Sequence, residues 1–122
     1  IGIRKAEMAE INNQNGKNVI VTGIASKKAW RDEYRKIIPN YHEIYIKCET
    51  NICAERDKKS IYSKALKGEY LNFSGITDSY EESKFVELII DTNSKNLQES
   101  SKMLLEYVSN ILYKYPNNLI NK

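Results

Sequence analysis

The chain has 122 residues, of which 29% are charged, and its formal net charge at pH 7 is +3. This length predicts a single domain. Acidic residues interleave with the basic ones, which argues against a nucleic-acid surface, since such surfaces concentrate basic residues on one face. No apolar run approaches the roughly 20 residues that cross a membrane, and no signal-peptide pattern is present, so we expect a cytoplasmic protein that binds neither nucleic acid nor membrane.

The first part of the chain predicts two helices with a strand between them. Apolar residues at mostly helical spacing predict a helix over 1–14, which Asn15-Gly16 should end. Residues 18–24, Asn-Val-Ile-Val-Thr-Gly-Ile, are typical of a strand buried on both faces. Ser26 is expected to cap a second helix that runs to about residue 38, where a proline follows.

The rest of the chain continues this alternation. Strands are predicted over 41–48 and 85–91, short helices over 50–57 and 61–67, and a long helix over 97–113. The long helix should turn a set of seven side chains inward, and the tail, 116–122, should be frayed. The seven are Leu97, Ser101, Leu104, Leu105, Val108, Ile111 and Leu112.

Alternating strands and helices predict the fold class. They imply βαβ units and therefore an α/β protein in three layers, with helices on both faces of a parallel sheet. Ligands of such sheets bind beyond the carboxyl ends of the strands. We therefore expect the functional site at 23–25, 47–49 and 91–93.

The two cysteines, Cys48 and Cys53, have no second pair and no nearby histidine. A closed zinc site takes about four ligands, so no metal site is predicted. Buried free thiols are the expected state in a reducing compartment.

A basic segment and an aromatic residue in a polar loop are the main candidates for chemistry. Lysines of 58–67, among them Lys59, either form a solvated helix face or neutralise a transferring phosphoryl group. Arg56 can lie flat on a base or bind phosphate oxygens. Phe73 either anchors its loop on the core or stacks on a base. Together these residues predict a mobile lid over about 57–84 that covers a nucleotide.

Two long motifs in this region carry a family resemblance. Residues 52–69, ICAERDKKSIYSKALKGE, are similar to V-C-E-x-R-D-P-K-G-L-Y-K-K-A-R-x-G-E, and residues 72–81, NFSGITDSYE, are similar to N-F-T-G-I-D-D-P-Y-E. Upstream, residues 3–5 and 30–32 align with I-R-R and E-R-D. These are patterns of the adenylyl-sulfate kinases, and the resemblance spans about 3–108.

The resemblance implies a reaction and a set of partners. These enzymes have the fold of P-loop nucleoside monophosphate kinases. In sulfate assimilation they move the γ-phosphoryl group of ATP, with Mg²⁺, to the 3′-hydroxyl of adenylyl sulfate. The implied partner is therefore a small nucleotide acceptor, and the resemblance leaves a homodimer open.

The resemblance also implies roles for individual residues. Lys59 would be catalytic and contact the phosphates, and Phe73 would stack on the adenine of the acceptor. Arg56 would lie near the ATP base. The remaining candidates for the acceptor site are Ile24, Ala25 and Arg4.

The phosphate loop of the family has no counterpart in the 122 residues, because Gly-x-x-x-x-Gly-Lys-Ser/Thr does not occur. The family's sheet order is 2-3-1-4-5, and the strands predicted over 18–24, 41–48 and 85–91 correspond to its strands 3, 4 and 5. Its first strand would lie between the first two of these. We therefore interpret residues 1–115 as the C-terminal two-thirds of one kinase domain. The phosphate loop is expected before residue 1, and the fragment is expected to be inactive alone.

The sequence departs from the family pattern on the acceptor side. The family usually has Asn at Gly2, Ser-Pro at residues 25–26 and Lys at Leu71. A buried ligand group that loses its polar partner costs about 1–3 kcal/mol. Two alternatives therefore stand beside adenylyl sulfate kinase activity: a kinase of another nucleotide conjugate, such as cytidine diphosphoramidate, and an inactive nucleotide-binding module.

Overall fold

The computed structural model describes residues 2–56 and 79–114. The helix expected over 61–67, most of the lid and the tail after residue 115 lie outside these residues. The elements in chain order are α1 Gly2–Gln14, α2 Lys28–Ile37, β1 Ile44–Lys47, α3 Thr50–Arg56, β2 Leu88–Asp91 and α4 Leu97–Lys114.

The two strands pair in parallel, which confirms the α/β class. Ile44 lies opposite Leu88, and Lys47 lies opposite Asp91. Antiparallel neighbours can be joined by a tight hairpin, whereas parallel neighbours need a crossover, and here α3 lies in that connection. Ile90 is 1% exposed, and α4 packs against β2. The other buried apolar side chains of the described residues, Ala6 and Ala9, lie on α1, which packs against α2.

Both strands are shorter than the sequence predicts, and their first residues explain why. The carbonyl of Glu43 accepts hydrogen bonds from the backbone nitrogens of both Glu87 and Leu88, at 3.1 and 3.3 Å. Two residues of one strand thus face one residue of the other, as in a β-bulge. The regular ladder begins only after this point.

The expectation of a strand over 18–24 is wrong for this structure, in which residues 17–27 form neither helix nor strand. Composition favours a strand, but a strand also needs a ladder partner for its backbone groups. Within 2–56 and 79–114, no backbone hydrogen bond joins residues 18–24 to another segment. Ile20 is consequently 85% exposed and Val21 is 53% exposed.

The start of α2 also differs from the prediction. Lys27, and not Ser26, occupies the N-cap position, and its side chain makes no capping hydrogen bond. A carboxylate distant in sequence takes that part, because Oε1 of Glu81 accepts a hydrogen bond from the backbone nitrogen of Lys28 at 2.9 Å. A negative charge at this position also complements the helix dipole.

The helices at the two ends of the chain follow the predicted bounds closely. After α1, Gly16 has a φ of 79°, a left-handed conformation that glycine adopts without strain. The inward face expected for α4 is confirmed only in part. Val108, Ile111 and Leu112 are half-buried, whereas the four earlier members of the set are exposed, because α4 contacts β2 and little else that the structure describes. None of the helices in the described ranges is both long and apolar enough to cross a membrane.

Candidate functional site

The carboxyl ends of β1 and β2 are tied together by polar groups. The carbonyl oxygen of Lys47 accepts hydrogen bonds from the backbone nitrogen of Thr92 and from its Oγ1, both at 2.9 Å. Oδ1 of Asn93 accepts a hydrogen bond from the backbone nitrogen of Glu49 at 2.9 Å. These contacts hold the two loops that follow the strands at one edge of the sheet, where ligands of parallel sheets bind.

Arg56 places a planar cation over this edge. It is the last residue of α3, and its Nη2 donates a hydrogen bond to the carbonyl oxygen of Thr92 at 2.8 Å. Its Nη1 lies 3.8 Å from Sγ of Cys48. Among the described residues the guanidinium is exposed and fixed at one end, and a planar guanidinium held in this way can stack on an aromatic base.

Cys48 and Cys53 are thiols that form no disulfide, as the sequence predicts, and they are half-buried rather than buried. Sγ of Cys53 lies 3.9 Å from the carbonyl oxygen of Cys48.

A cavity of about 400 Å³ lies between residues 18–25 and the start of β1. Val19 and Val21 line one side of it, and residues 41–44 line the other. Ile24 and Ala25 also line the cavity, as do residues of α1 and α2.

Ala25 has a φ of 42°, in the left-handed region that residues with a β-carbon seldom adopt. Its carbonyl oxygen accepts a hydrogen bond from Nη1 of Arg31 at 2.5 Å. Arg31 is 4% exposed although it belongs to a helix near the surface. The strained residue at the rim of the cavity is thus held by a buried guanidinium.

The other nitrogens of Arg31 reach residues 80–83. Nη2 donates hydrogen bonds to the carbonyl oxygen of Glu81 and, at 3.0 Å, to Oγ of Ser83. The guanidinium carbon lies 4.6 Å from the centre of the Tyr80 ring, within the range of a cation–π contact. Arg31 therefore joins the rim of the cavity to the segment that ends the expected lid.

Glu43 supplies the charge opposite Arg31. Its Oε1 lies 3.5 Å from Nε of Arg31, and both side chains are almost fully buried. Its Oε2 is buried and accepts no hydrogen bond from the residues that the structure describes. A buried charge without a partner is destabilising, so removal of either Arg31 or Glu43 should destabilise the fold.

A second arginine on α2 repeats the arrangement one turn later. Arg35 forms two hydrogen bonds to the carboxylate of Glu87, and its Nη2 also donates to the carbonyl oxygen of Phe85 at 2.9 Å. This contact raises the pKa of Arg35 above its ordinary value. Burial alone would raise the pKa of Glu87, but the hydrogen bonds from Arg35 and from the backbone nitrogen of Glu43 hold it below the usual glutamate value. Burial raises the pKa of Tyr41, whose ring lies under the Arg35 guanidinium.

Gly2 opens α1 beside the same cavity. A β-carbon built on this glycine would lie 1.9 Å from the hydroxyl oxygen of Tyr34 and 2.7 Å from the ring carbon that bears it. The Tyr34 ring thus fills the space that any other side chain at position 2 would need.

The structure brings together only some of the residues that the sequence singles out. Ile24 and Ala25 lie side by side on the cavity, and Arg56 lies at the carboxyl ends of the strands. Arg4 is exposed and does not line the cavity, although its neighbour Lys5 does. The candidates Lys59 and Phe73 lie outside the described residues.

Sequence reasoning assigned no role to Arg31, Glu43 or Glu81, which organise the rim. Two of them lie in stretches that carry the resemblance, residues 30–32 and 72–81. The family motifs therefore already pointed to Arg31 and Glu81 in the sequence. Only the folded chain shows that the two motifs meet, through the hydrogen bond from Arg31 to the carbonyl oxygen of Glu81.

Comparisons with known proteins agree with the resemblance. The sequence model of the family described as adenylylsulphate kinase matches residues 2–91. The chain is 37% identical to the adenylyl-sulfate kinase of Bacillus velezensis over 111 residues, which are 89% of this chain and 56% of that protein. It is 37% identical to the probable bifunctional SAT/APS kinase 2 of Sorangium cellulosum over 106 residues, 87% of this chain and 18% of that protein.

A solved structure agrees as well. The crystal structure of APE1195 superposes with a TM-score of 0.79 at 34% identity, over 91% of this chain and 64% of that chain. These comparisons confirm the expected α/β fold with a parallel sheet of the P-loop kinase type. Apart from the bifunctional relative, the chain spans about half the length of curated relatives such as the B. velezensis enzyme.

Proposed function

The chain belongs to the adenylylsulphate kinase family, and on that premise we propose that the protein phosphorylates adenylyl sulfate with ATP. The 3′-hydroxyl oxygen of the acceptor attacks the γ-phosphorus while the bond to the β–γ bridging oxygen breaks. ADP leaves, the hydroxyl proton is released, and 3′-phosphoadenylyl sulfate forms. The observation that carries this proposal is the family match over 2–91, supported by relatives named adenylyl-sulfate kinase.

On the ATP side, the position of Arg56 supports the proposal. Its guanidinium is anchored to the carbonyl oxygen of Thr92 at the carboxyl ends of both strands. An arginine held at one edge can stack on adenine without an added entropic cost for ordering its side chain. We assign Arg56 to the ATP base.

On the acceptor side, Ile24 and Ala25 form an apolar rim at the end of residues 18–25. We assign them to the acceptor pocket, with Phe73 stacking on the acceptor base. Arg4 is assigned to the same nucleotide and Lys59 to the transferring phosphoryl group. These three roles follow the family motifs that the residues match.

The family implies that ATP is used with Mg²⁺. In the described part of the chain, no group of three or more His, Cys, Asp or Glu side chains stands close enough to hold a metal ion. Mg²⁺ usually keeps several waters and takes its other ligands from substrate phosphates and only one or two protein carboxylates, so it would arrive with ATP and neutralise phosphate charge there.

Assay of the full-length protein tests the proposal. ATP and adenylyl sulfate should yield ADP and 3′-phosphoadenylyl sulfate in equal amounts, and cytidine diphosphoramidate in place of adenylyl sulfate should yield neither. The names of the relatives favour adenylyl sulfate over a cytidine conjugate, and an enzyme over an inactive module. Absence of the 3′-phosphorylated product would refute the proposed reaction.

Variants of the lid residues test the assigned roles. Lys59→Ala should reduce turnover by about 100-fold or more, because a group that stabilises charge in the transition state is lost. Phe73→Ala should raise the KM for the acceptor and leave the KM for ATP unchanged. Neither variant should change the melting temperature, and unchanged kinetics in both would remove the lid residues from the reaction.

Two further expectations remain proposals. We place the enzyme in the cytoplasm, and we propose that two copies pair. Sedimentation equilibrium of the full-length protein, with and without nucleotides, measures the second.

A further inference from the structure

We propose that Arg31 is a positioning residue that fixes the backbone of Ala25 and thereby sets the affinity of the site for its nucleotide acceptor. The geometric part of the proposal is independent of the substrate. The part that concerns the acceptor rests on the proposed function.

Ala25 is strained, since its φ is 42°. A left-handed conformation is unfavourable for a residue with a β-carbon unless its surroundings compensate. Here the carbonyl oxygen of Ala25 points at Nη1 of Arg31, 2.5 Å away. Because Ala25 lines the cavity, the same hydrogen bond that holds its conformation also fixes the rim.

Contacts on the far side of the guanidinium prevent Arg31 from moving with Ala25. Its remaining donors go to the carbonyl oxygen of Glu81 and to Oγ of Ser83. Glu81 is itself bound to the rim, since its backbone nitrogen donates to the carbonyl oxygen of Ser26 at 2.9 Å and its carboxylate accepts from the backbone nitrogen of Lys28. Residues 25–28 and 80–83 therefore form one unit with Arg31 at its centre.

The charge and the shape of the side chain both matter for this role. Glu43 and the ring of Tyr80 bound the guanidinium, which leaves it a single orientation in which all of its contacts form. Lysine keeps the positive charge but offers a point charge on a flexible stem and not a planar fork. A lysine at position 31 can satisfy Glu43 or the Ala25 carbonyl, but not the whole set.

Arg35 provides a matched control on the same helix, one turn further on. It also holds a later segment through a carboxylate and a carbonyl, those of Glu87 and Phe85. None of the hydrogen bonds described for Arg35 reaches residues 24–26. A general loss of packing around α2 should therefore appear in both arginine variants, whereas loss of the rim should appear only at Arg31.

The experiment compares Arg31→Lys with Arg35→Lys in the full-length protein. Arg31→Lys should raise the KM for adenylyl sulfate about tenfold, which corresponds to the loss of one good hydrogen bond in the site, and should leave the KM for ATP unchanged. Arg35→Lys should change neither KM. Amide hydrogen exchange should become faster over residues 22–28 in Arg31→Lys and remain at the parent rate in Arg35→Lys.

The outcomes separate this proposal from the proposed function. If the parent protein does not phosphorylate adenylyl sulfate, the proposed function fails, and the exchange rates still decide whether Arg31 holds the rim. Equal exchange over 22–28 in the two variants, or an acceptor KM that does not move in Arg31→Lys, would overturn the positioning role.

A milder variant covers the case in which Arg31→Lys does not fold. Ser83→Ala removes one acceptor from the guanidinium and keeps the Arg31–Glu43 pair. It should produce a smaller increase in exchange over the same residues. Parent-like exchange over 22–28 in this variant would overturn the proposal.

Discussion

Two apolar segments of this chain, both rich in β-branched residues, adopt different structures. Residues 88–90, Leu-Ile-Ile, pair with β1 and include Ile90, which is 1% exposed. Residues 19–21, Val-Ile-Val, are of the same character, yet Ile20 is 85% exposed and the segment forms no strand. Composition alone therefore does not make a strand. The first segment has a ladder partner and a covering helix, and the second faces a cavity.

Polar side chains account for much of the difference. The start of the β1–β2 pair is held by Glu43 and Glu87, which α2 in turn holds through two arginines. Among the described residues, the segment 18–24 has no comparable ties. Variants in the two regions test how much more the β1–β2 pair contributes to stability than residues 18–24, beginning with the greatest expected loss.

Removal of the Glu43 carboxylate should cost the most. Glu43→Ala leaves the Arg31 guanidinium buried without a counter-charge, a change that typically costs about 3–5 kcal/mol. Glu82→Ala is the control, because Glu82 forms an exposed ion pair with Lys47, and such pairs contribute about 0–1 kcal/mol. Urea denaturation of both variants measures the difference. Similar losses would show that the Arg31–Glu43 pair is not buried in solution.

A pair of isoleucine truncations compares the two segments directly. Ile90→Ala should lose about 2–5 kcal/mol of unfolding free energy, because its side chain is buried. Ile20→Ala should lose less than about 0.5 kcal/mol, because its side chain is exposed. Denaturation curves of the two proteins supply both values. A large loss for Ile20→Ala would mean that another segment or molecule covers residues 18–24 in solution.

Glu87→Gln should have a smaller effect that depends on pH. At neutral pH it should lose about 1 kcal/mol, since the Arg35 contact is charged but partly exposed. The folded-state pKa of Glu87 is lowered, so its contribution is fully present above the ordinary value of 4.5 and is lost as pH falls through the lower folded value.

Thermal melts at several pH values check this sign. The stability gap between the parent and Glu87→Gln should be constant near neutrality and should shrink below pH 4.5. Glu82→Gln, at an exposed position, serves as the control. A gap that widens at low pH would contradict the direction of the shift.

Arg56→Ala should affect stability least. The side chain is exposed, and the truncation should change the unfolding free energy by no more than about 0.5 kcal/mol. The KM for ATP should nevertheless rise, and the KM for the acceptor should not. Steady-state kinetics with each substrate varied in turn separates the two, and a selective effect on the acceptor would move Arg56 to the other nucleotide.

Local patterns predicted the four helices that the structure describes and the existence of both paired strands, though not the strand bounds, because these signals lie within the elements themselves. The cap on α2 was beyond such reasoning, since Glu81 lies 53 residues from Lys28. The same applies to Arg31, which bonds to Ala25 and to residues 81 and 83 at the same time only in the folded chain. Residues 18–24 show the opposite error. Their composition clearly predicts a strand, but none of the described residues pairs with them to form one.

Tyr34 lies close to Gly2. The side chains that positions 2 and 34 can carry therefore depend on each other, although the two positions are 32 residues apart. The asparagine that the family pattern places at position 2 cannot be introduced here while the tyrosine ring keeps its place. Because the nearest atoms belong to the outer end of a side chain, either the ring turns aside or a smaller residue replaces it. Selection from a library randomised at both sites should therefore recover a bulky group at one position or the other, and not at both.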